Sequence, residues 1–172
     1  MKDVEILNAV LGDERIIKRL AWDTWWVTYG NIISEDQIRY MLEKLYDEAV
    51  LRGLIETGQQ QFVMLREGGN TQAFAAYGAR ENDPFIYKLH KLYVHPDCHG
   101  KGFGRRLLNE VTSRLAAQRI NTLELNVHQE NPALRFYQAH GFVIVREEKL
   151  PFGPYWLKDF VMRLHLATPP LA

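Results

Sequence analysis

The segment Leu92-Tyr93-Val94-His95-Pro96-Asp97-Cys98-His99-Gly100-Lys101-Gly102-Phe103-Gly104-Arg105-Arg106-Leu107-Leu108 constrains this chain more than any other. A strand pattern ends at Pro96, glycines stand at three alternate positions, and a helical pattern begins at once. Backbone without Cβ atoms can turn sharply there and aim several N–H groups at one point, and the positive end of the following helix adds to them. That combination binds a phosphate or diphosphate, with Lys101 and Arg105 placed to add charge at its rim. The plainer reading is a strand-to-helix turn that happens to use glycine. Two other phosphate motifs fail on spacing. The dinucleotide signature needs a last glycine three residues after the second, where this chain has Arg105, and the P-loop needs a hydroxyl after its Gly-Lys, where this chain has Gly102.

The pattern around that segment predicts a mixed α/β fold. Val4–Asn8 suits a first strand, and Asp13 is expected to cap a helix running to about Tyr29. Ser34-Glu35-Asp36-Gln37 has capping-box spacing for a second helix, and Asp47 suits a third that ends near Gly58. Phe62–Leu65 and Gln72–Arg80 flank Glu67-Gly68-Gly69-Asn70 as a hairpin, and Asn82-Asp83-Pro84 marks a further turn. Phe85–Val94 follows as a long strand whose alternation slips midway, as a β-bulge would make it. Helix from Gly104 to Arg119, strand from Thr122 to Val127, helix from Pro132 to His140 and strand from Phe142 to Glu147 then imply a parallel crossover in an otherwise antiparallel sheet. Tyr155–Leu164 makes the last strand.

Composition narrows the function classes. With 172 residues, 47% of them hydrophobic, the chain suits one compact domain, 1–166, with 167–172 as a frayed tail. Lys plus Arg (21) balances Asp plus Glu (21), which disfavours a nucleic-acid partner or an anionic membrane. No apolar stretch approaches the roughly 20 residues of a membrane span, and the opening Met1-Lys2-Asp3-Val4-Glu5 is unlike a secretory signal, so the expected compartment is the cytoplasm. Cys98 is the only cysteine, so neither an internal disulfide nor a cysteine-based metal site is expected.

His99-Gly100-Lys101-Gly102-Phe103-Gly104 resembles the first acetyl-CoA motif of the GNAT superfamily, Gln or Arg, two residues, Gly, one residue, Gly or Ala, with His99 in place of the leading side chain. A second match follows in Asn131-Pro132-Ala133-Leu134-Arg135-Phe136-Tyr137-Gln138-Ala139-His140-Gly141-Phe142, similar to the family's Asn…Ala…Phe-Tyr…Gly-Phe segment. The resemblance spans about 62–164, and within the family the chain looks most like PaiA-type bacterial polyamine acetyltransferases. It implies a mostly antiparallel sheet of six or seven strands, with a splayed parallel pair in the middle and helices on both faces. It also implies transfer of an acetyl group from acetyl-CoA directly to a primary amine, with a small-molecule amine as partner and no metal.

The resemblance carries roles to particular residues. Pantetheine would lie between the Leu89–Val94 and Thr122–Val127 strands, paired with backbone across Leu92, Tyr93 and Val94, and an N–H at Leu92 would bond the thioester carbonyl. Gly100, Lys101, Gly102, Phe103, Gly104 and Arg105, with His99 leading the motif, would hold the diphosphate, and Asn131 the pantetheine arm or a phosphate. Tyr137 matches a tyrosine that protonates the departing thiolate, though a core aromatic beside Phe136 has the same signature. Some relatives use a glutamate on the bulged strand as the base; His90 is the candidate here, since imidazole accepts protons near neutrality, and a surface histidine is the even alternative. Trp26, Tyr29 and His128 are candidates to line the acceptor site, against core packing for the aromatics and a solvated loop for His128. Asp97, Asp159 and the acidic Glu35, Asp36, Glu43, Asp47 and Glu48 would attract a polyamine or simply be solvated. Acetylation of a protein N-terminus or lysine, and a non-catalytic acetyl-CoA sensor, remain as alternatives. The sequence sets no oligomeric state; a homodimer is compatible with it.

Overall fold

A computed structural model describes residues 3–167; the expected tail lies, from Thr168 on, outside the described residues. The elements run β1 (Val4–Asn8), α1 (Glu14–Tyr29), α2 (Glu35–Leu45), α3 (Glu48–Thr57), β2 (Gln61–Glu67), β3 (Asn70–Arg80), β4 (Asp83–Val94), a 3-10 turn (Pro96–Cys98), α4 (Phe103–Ala117), β5 (Thr122–His128), α5 (Ala133–Ala139), β6 (Val143–Phe152) and β7 (Tyr155–His165). Seven strands share one sheet in the order β1-β2-β3-β4-β5-β7-β6, mostly antiparallel with β4 and β5 parallel. The chain packs into two compact units, Met1–Gly78 with His90–Val111, and Ala79–Leu89 with Thr112–Ala172.

In the first unit β1, β2 and β3 form an antiparallel meander with a bulge between Leu65 and Arg66. The helices begin where local chemistry lets them. Ser34 Oγ accepts the Gln37 N–H at 3.2 Å, and Asp47 Oδ1 accepts from Ala49 at 2.9 Å and Val50 at 3.3 Å, so α2 and α3 open on capped N–H groups. Asp13 departs from expectation. Its carboxylate turns back to the Val10 N–H at 2.8 Å instead of capping α1, while Glu14 takes the Gly12 N–H and the Arg52 guanidinium. Ile17, Leu20, Ile38, Leu42 and Leu51 are buried from the three helices, and Val63, Met64, Leu65, Phe74 and Ala75 from β2 and β3.

In the second unit β4 pairs in parallel with β5 from Ile86↔Thr122 to Leu89↔Leu125. Beyond Leu125 the strand keeps its antiparallel ladder with β7, Asn126↔Val161 to His128↔Asp159. The β6–β7 hairpin is longer than the sequence suggested, because β6 runs past Glu147 and through Pro151 to Phe152. Strand β6 stands last in the sheet order, and an edge strand can spare the N–H that proline lacks. On β5 the apolar Leu123, Leu125 and Val127 are buried on one face, and Thr122, Glu124, Asn126 and His128 alternate onto the other.

Candidate active site

The glycine-rich corner has the local geometry of an anion cradle. Gly100 (φ 82°) and Gly102 (φ 77°) both occupy the left-handed region, which a side chain would strain. A Cβ built on Gly100 meets nothing within 4 Å, so the turn opens onto free space. The first helical bond of α4 runs from the Arg106 N–H to the Gly102 carbonyl at 3.0 Å. The N–H groups of Phe103, Gly104 and Arg105 therefore precede the helical ladder, where the positive end of the helix dipole is strongest. Arg105 folds back over the turn, its Nη2 3.7 Å from a Cβ built on Gly102, and has no ion-pair partner among the described residues. The Lys101 ammonium is held by the Glu67 carboxylate at 2.9 and 3.3 Å and lies over the Phe103 ring. That carboxylate raises the Lys101 pKa further above the ordinary lysine value.

His99 is exposed, and its Nε2 lies 3.0 Å from the Val94 carbonyl. A carbonyl only accepts, so that nitrogen carries the proton. The ring thus ties the end of β4 across the turn, and one lone pair of Val94 is engaged. The Tyr93 side chain belongs to an aromatic cluster, with Phe74 at 5.8 Å, Trp25 at 6.1 Å and Tyr46 at 6.5 Å, and its hydroxyl lies 3.5 Å from that of Tyr29. Trp25 is core, whereas Trp26 and Tyr29 are half-buried, Trp26 beneath the Arg39 guanidinium at 5.5 Å. The first unit therefore holds the cradle, His90 and Leu92, which are half-buried, and the aromatic candidates. A cavity of about 550 Å³ beside α1 in the same unit, reached by Arg19 and His95, is lined by none of the expected residues.

The second unit holds the remaining candidates. Tyr137 is 8% exposed, edge-on to Phe136 at 5.3 Å and Phe142 at 5.6 Å. Asn131 is buried, and its Oδ1 accepts the Ala133 N–H at 2.9 Å, which fixes the start of α5. His128 accepts the Glu130 N–H on Nδ1 at 3.1 Å, so its proton sits on Nε2 in the neutral ring. Among the described residues no group of three or more His, Cys, Asp or Glu side chains is placed to hold a metal ion, and no helix is long and apolar enough to cross a membrane.

A family model described as an acetyltransferase (GNAT) domain matches residues 31–164. The chain belongs to the GNAT acetyltransferase family. It is similar to the uncharacterized N-acetyltransferase YuaI of Bacillus subtilis, 26% identical over 91% of this chain and 90% of that one. It is also similar to the spermidine N(1)-acetyltransferase of Thermoplasma acidophilum, 26% identical over 82% and 89% of the two chains. The crystal structure of PaiA N-acetyltransferase from Thermoplasma acidophilum in complex with coenzyme A shares the fold, with a TM-score of 0.82 and 24% identity over 95% of this chain and 99% of that one. This GNAT protein is thus an N-acetyltransferase that uses acetyl-CoA, built on the mixed seven-stranded fold its sequence resembles.

The GNAT domain also carries a charged sheet face whose wiring local reading missed. Glu124, 2% exposed, accepts Arg163 Nε at 2.9 Å and Nη2 at 2.6 Å, with Arg80 Nη2 2.6 Å from its other oxygen. Glu148 takes Arg146 Nε and Asn126 Nδ2, both at 2.9 Å. Burial opposes the Glu148 charge, but Asn126 and Arg146 outweigh it and hold its carboxyl below the usual range. Burial, together with the Arg80 charge, pulls the Lys88 pKa down. Burial raises the Asp159 carboxyl, against the pull of Asn126, His128 and Lys88. The signal was the alternation Thr122, Glu124, Asn126, His128, which marks one polar face of β5 but cannot name its partners on other strands.

Proposed function

We propose that this GNAT enzyme moves the acetyl group of acetyl-CoA to the primary amine of a small acceptor, with a polyamine as the leading candidate. The observation that carries the proposal is the corner at Gly100–Arg105: two glycines at positive φ, open space above Gly100, unladdered N–H groups and an Arg105 guanidinium over Gly102 with no ion-pair partner among the described residues. These groups suit a diphosphate, which they would bind by N–H donation and the helix dipole. Bound acetyl-CoA supplies the activated acyl group; the protein supplies orientation and proton transfers. In the proposal the backbone of Leu92, Tyr93 and Val94 aligns the pantetheine arm, with the Leu92 N–H donating to the thioester oxygen. Asn131 assists through its side-chain amide. Tyr137, set edge-on to Phe136 and Phe142, donates its phenolic proton to the leaving sulfur. His90 takes a proton from the incoming ammonium, and Trp26, Tyr29 and His128 contact the acceptor.

The similarity to a spermidine acetyltransferase supports a cationic small-molecule acceptor. The test is thiol release from acetyl-CoA in the presence of spermidine, spermine, putrescine, amino acids and lysine peptides. Acceleration by one of the amines is expected. Firm acetyl-CoA binding with no acceleration by any acceptor would overturn the proposal.

A further inference from the structure

The cavity of about 550 Å³ beside α1 is walled by basic side chains that no step of the proposed acetyl transfer uses. Arg15 and Arg19 stand four residues apart on α1 and so share a face of that helix, while Arg66 reaches the same space from the end of β2. The opposite wall depends on an irregularity in the sheet. A regular strand sends successive side chains to opposite faces, yet Thr71 and Gln72 both line the cavity. In the β2–β3 ladder Leu65 stands opposite Ala73 and Arg66 opposite Thr71, which leaves Gln72 without a partner on β2. A bulge of this kind re-aims the side chains around it.

The charges in this space do not balance. Three arginines line it with one carboxylate, Asp23. Asp23 faces His95, whose Nε2 lies 4.0 Å away. His95 Nδ1 accepts the Asp97 N–H at 3.2 Å, so the proton of the neutral ring sits on the nitrogen that faces Asp23. Glu48 meets Arg15 at 3.4 Å and Asp13 meets Arg66 at 3.6 Å, both long for a charge-assisted bond, and the Arg15 side chain is 78% exposed. Arg19 has no ion-pair partner among the described residues. Gln72 spends its carbonyl on the His95 N–H and its Oε1 on the Cys98 thiol, and its Nε2 donates to no described residue. Like charges four apart on a helix repel, and an anion between the walls would relieve them. The volume is that of a small-molecule site, and guanidinium forks match carboxylate and phosphate oxygens.

We infer that this cavity binds a small metabolite through a carboxylate or phosphate group, gripped by Arg19 and Arg66 with the Gln72 amide as a neutral donor, and that the site is separate from the coenzyme corner. No residue from Gly100 to Arg105 lines it. A phosphate of acetyl-CoA offers the same chemistry, so the two sources are told apart by filling the corner first.

The experiment titrates citrate and inorganic phosphate into the intact protein, alone and saturated with coenzyme A, by calorimetry, and repeats this with Arg19→Gln, Arg66→Gln and Lys18→Gln. Lys18 lies on the same helix outside the cavity lining, so its loss lowers the net charge without touching the site. The coenzyme-loaded protein is expected to bind at least one probe. Arg19→Gln should weaken that binding about tenfold or more, as loss of a charge-assisted hydrogen bond implies; Arg66→Gln should weaken it too, and Lys18→Gln should leave it unchanged. Arg19→Gln should melt where the unaltered protein does, since Arg19 holds no other charged group and glutamine is a good helix former. Binding seen only without coenzyme A would assign the anion to the coenzyme and overturn the inference. No binding in either form, or equal losses in Arg19→Gln and Lys18→Gln, would overturn it as well.

Discussion

Removing Glu124 should unfold the second unit's charged face from its centre. The carboxylate is 2% exposed and answers two guanidinium groups, Arg163 through both Nε and Nη2 and Arg80 at 2.6 Å, with Arg146 Nη1 3.9 Å away. In Glu124→Ala the Arg80 and Arg163 guanidinium groups lose the anion between them, while Arg146 keeps Glu148. Breaking a buried pair by deleting one partner costs about 3–5 kcal/mol. The Arg80 and Arg163 side chains are 26% and 33% exposed, so each can turn partly to water, which favours the lower end, about 3 kcal/mol. For a chain of this length each kcal/mol moves the midpoint by roughly 2–4 °C, giving a drop of about 6–12 °C by calorimetry or circular dichroism. Glu124→Gln keeps the shape and an acceptor but loses the charge, and should fall between the two. Exchanging Glu124, Arg80 and Arg163 together for apolar residues of similar volume should recover most of the loss, since the desolvation of all three charges then disappears. A loss under about 1 kcal/mol in Glu124→Ala, with the urea slope unchanged, would refute the assignment of Glu124 as the hub.

Gly102→Val should weaken acetyl-CoA binding at least tenfold by calorimetry, because the left-handed turn must reshape to accept a β-branched residue; unchanged affinity would place the diphosphate elsewhere. Arg105→Ala should cost about tenfold or more in acetyl-CoA affinity, whereas Lys101→Met should change it little, since Glu67 already holds that ammonium; equal losses would contradict the separation. Tyr137→Phe should lower kcat with the acetyl-CoA dissociation constant preserved, and full turnover in the variant would remove the phenol from the reaction. Burial raises the Asp159 carboxyl, so its contribution to stability is fully present below the ordinary aspartate range and is lost as pH rises through the raised value. Melting curves of Asp159→Asn and the unaltered protein should therefore separate near neutrality, with the variant higher, and converge in acid; separation only in acid would reverse the reasoning.

What the sequence made legible was local. The corner at Gly100–Gly104 could be read because turn, glycine and helix start lie within a few residues, and the same holds for the caps at Ser34 and Asp47. What escaped was set by distant neighbours or by competition between nearby groups. Lys101 looks like a free charge until β2 brings Glu67 to it. Asp13 sits at a cap position, yet its carboxylate serves the chain behind it while Glu14 is drawn off by Arg52. Strand β6 runs beyond the expected Glu147, and its place at the sheet edge lets it carry Pro151. The polar stripe of β5 was visible as alternation, but the pairing of Asp159 with His128 and Glu148 depends on registers between three strands that no local pattern encodes.

The bond from His99 to the Val94 carbonyl closes a ring of only a few residues around the foot of the turn. Such a clasp holds the corner in shape before any nucleotide arrives, so little ordering entropy need be spent at capture.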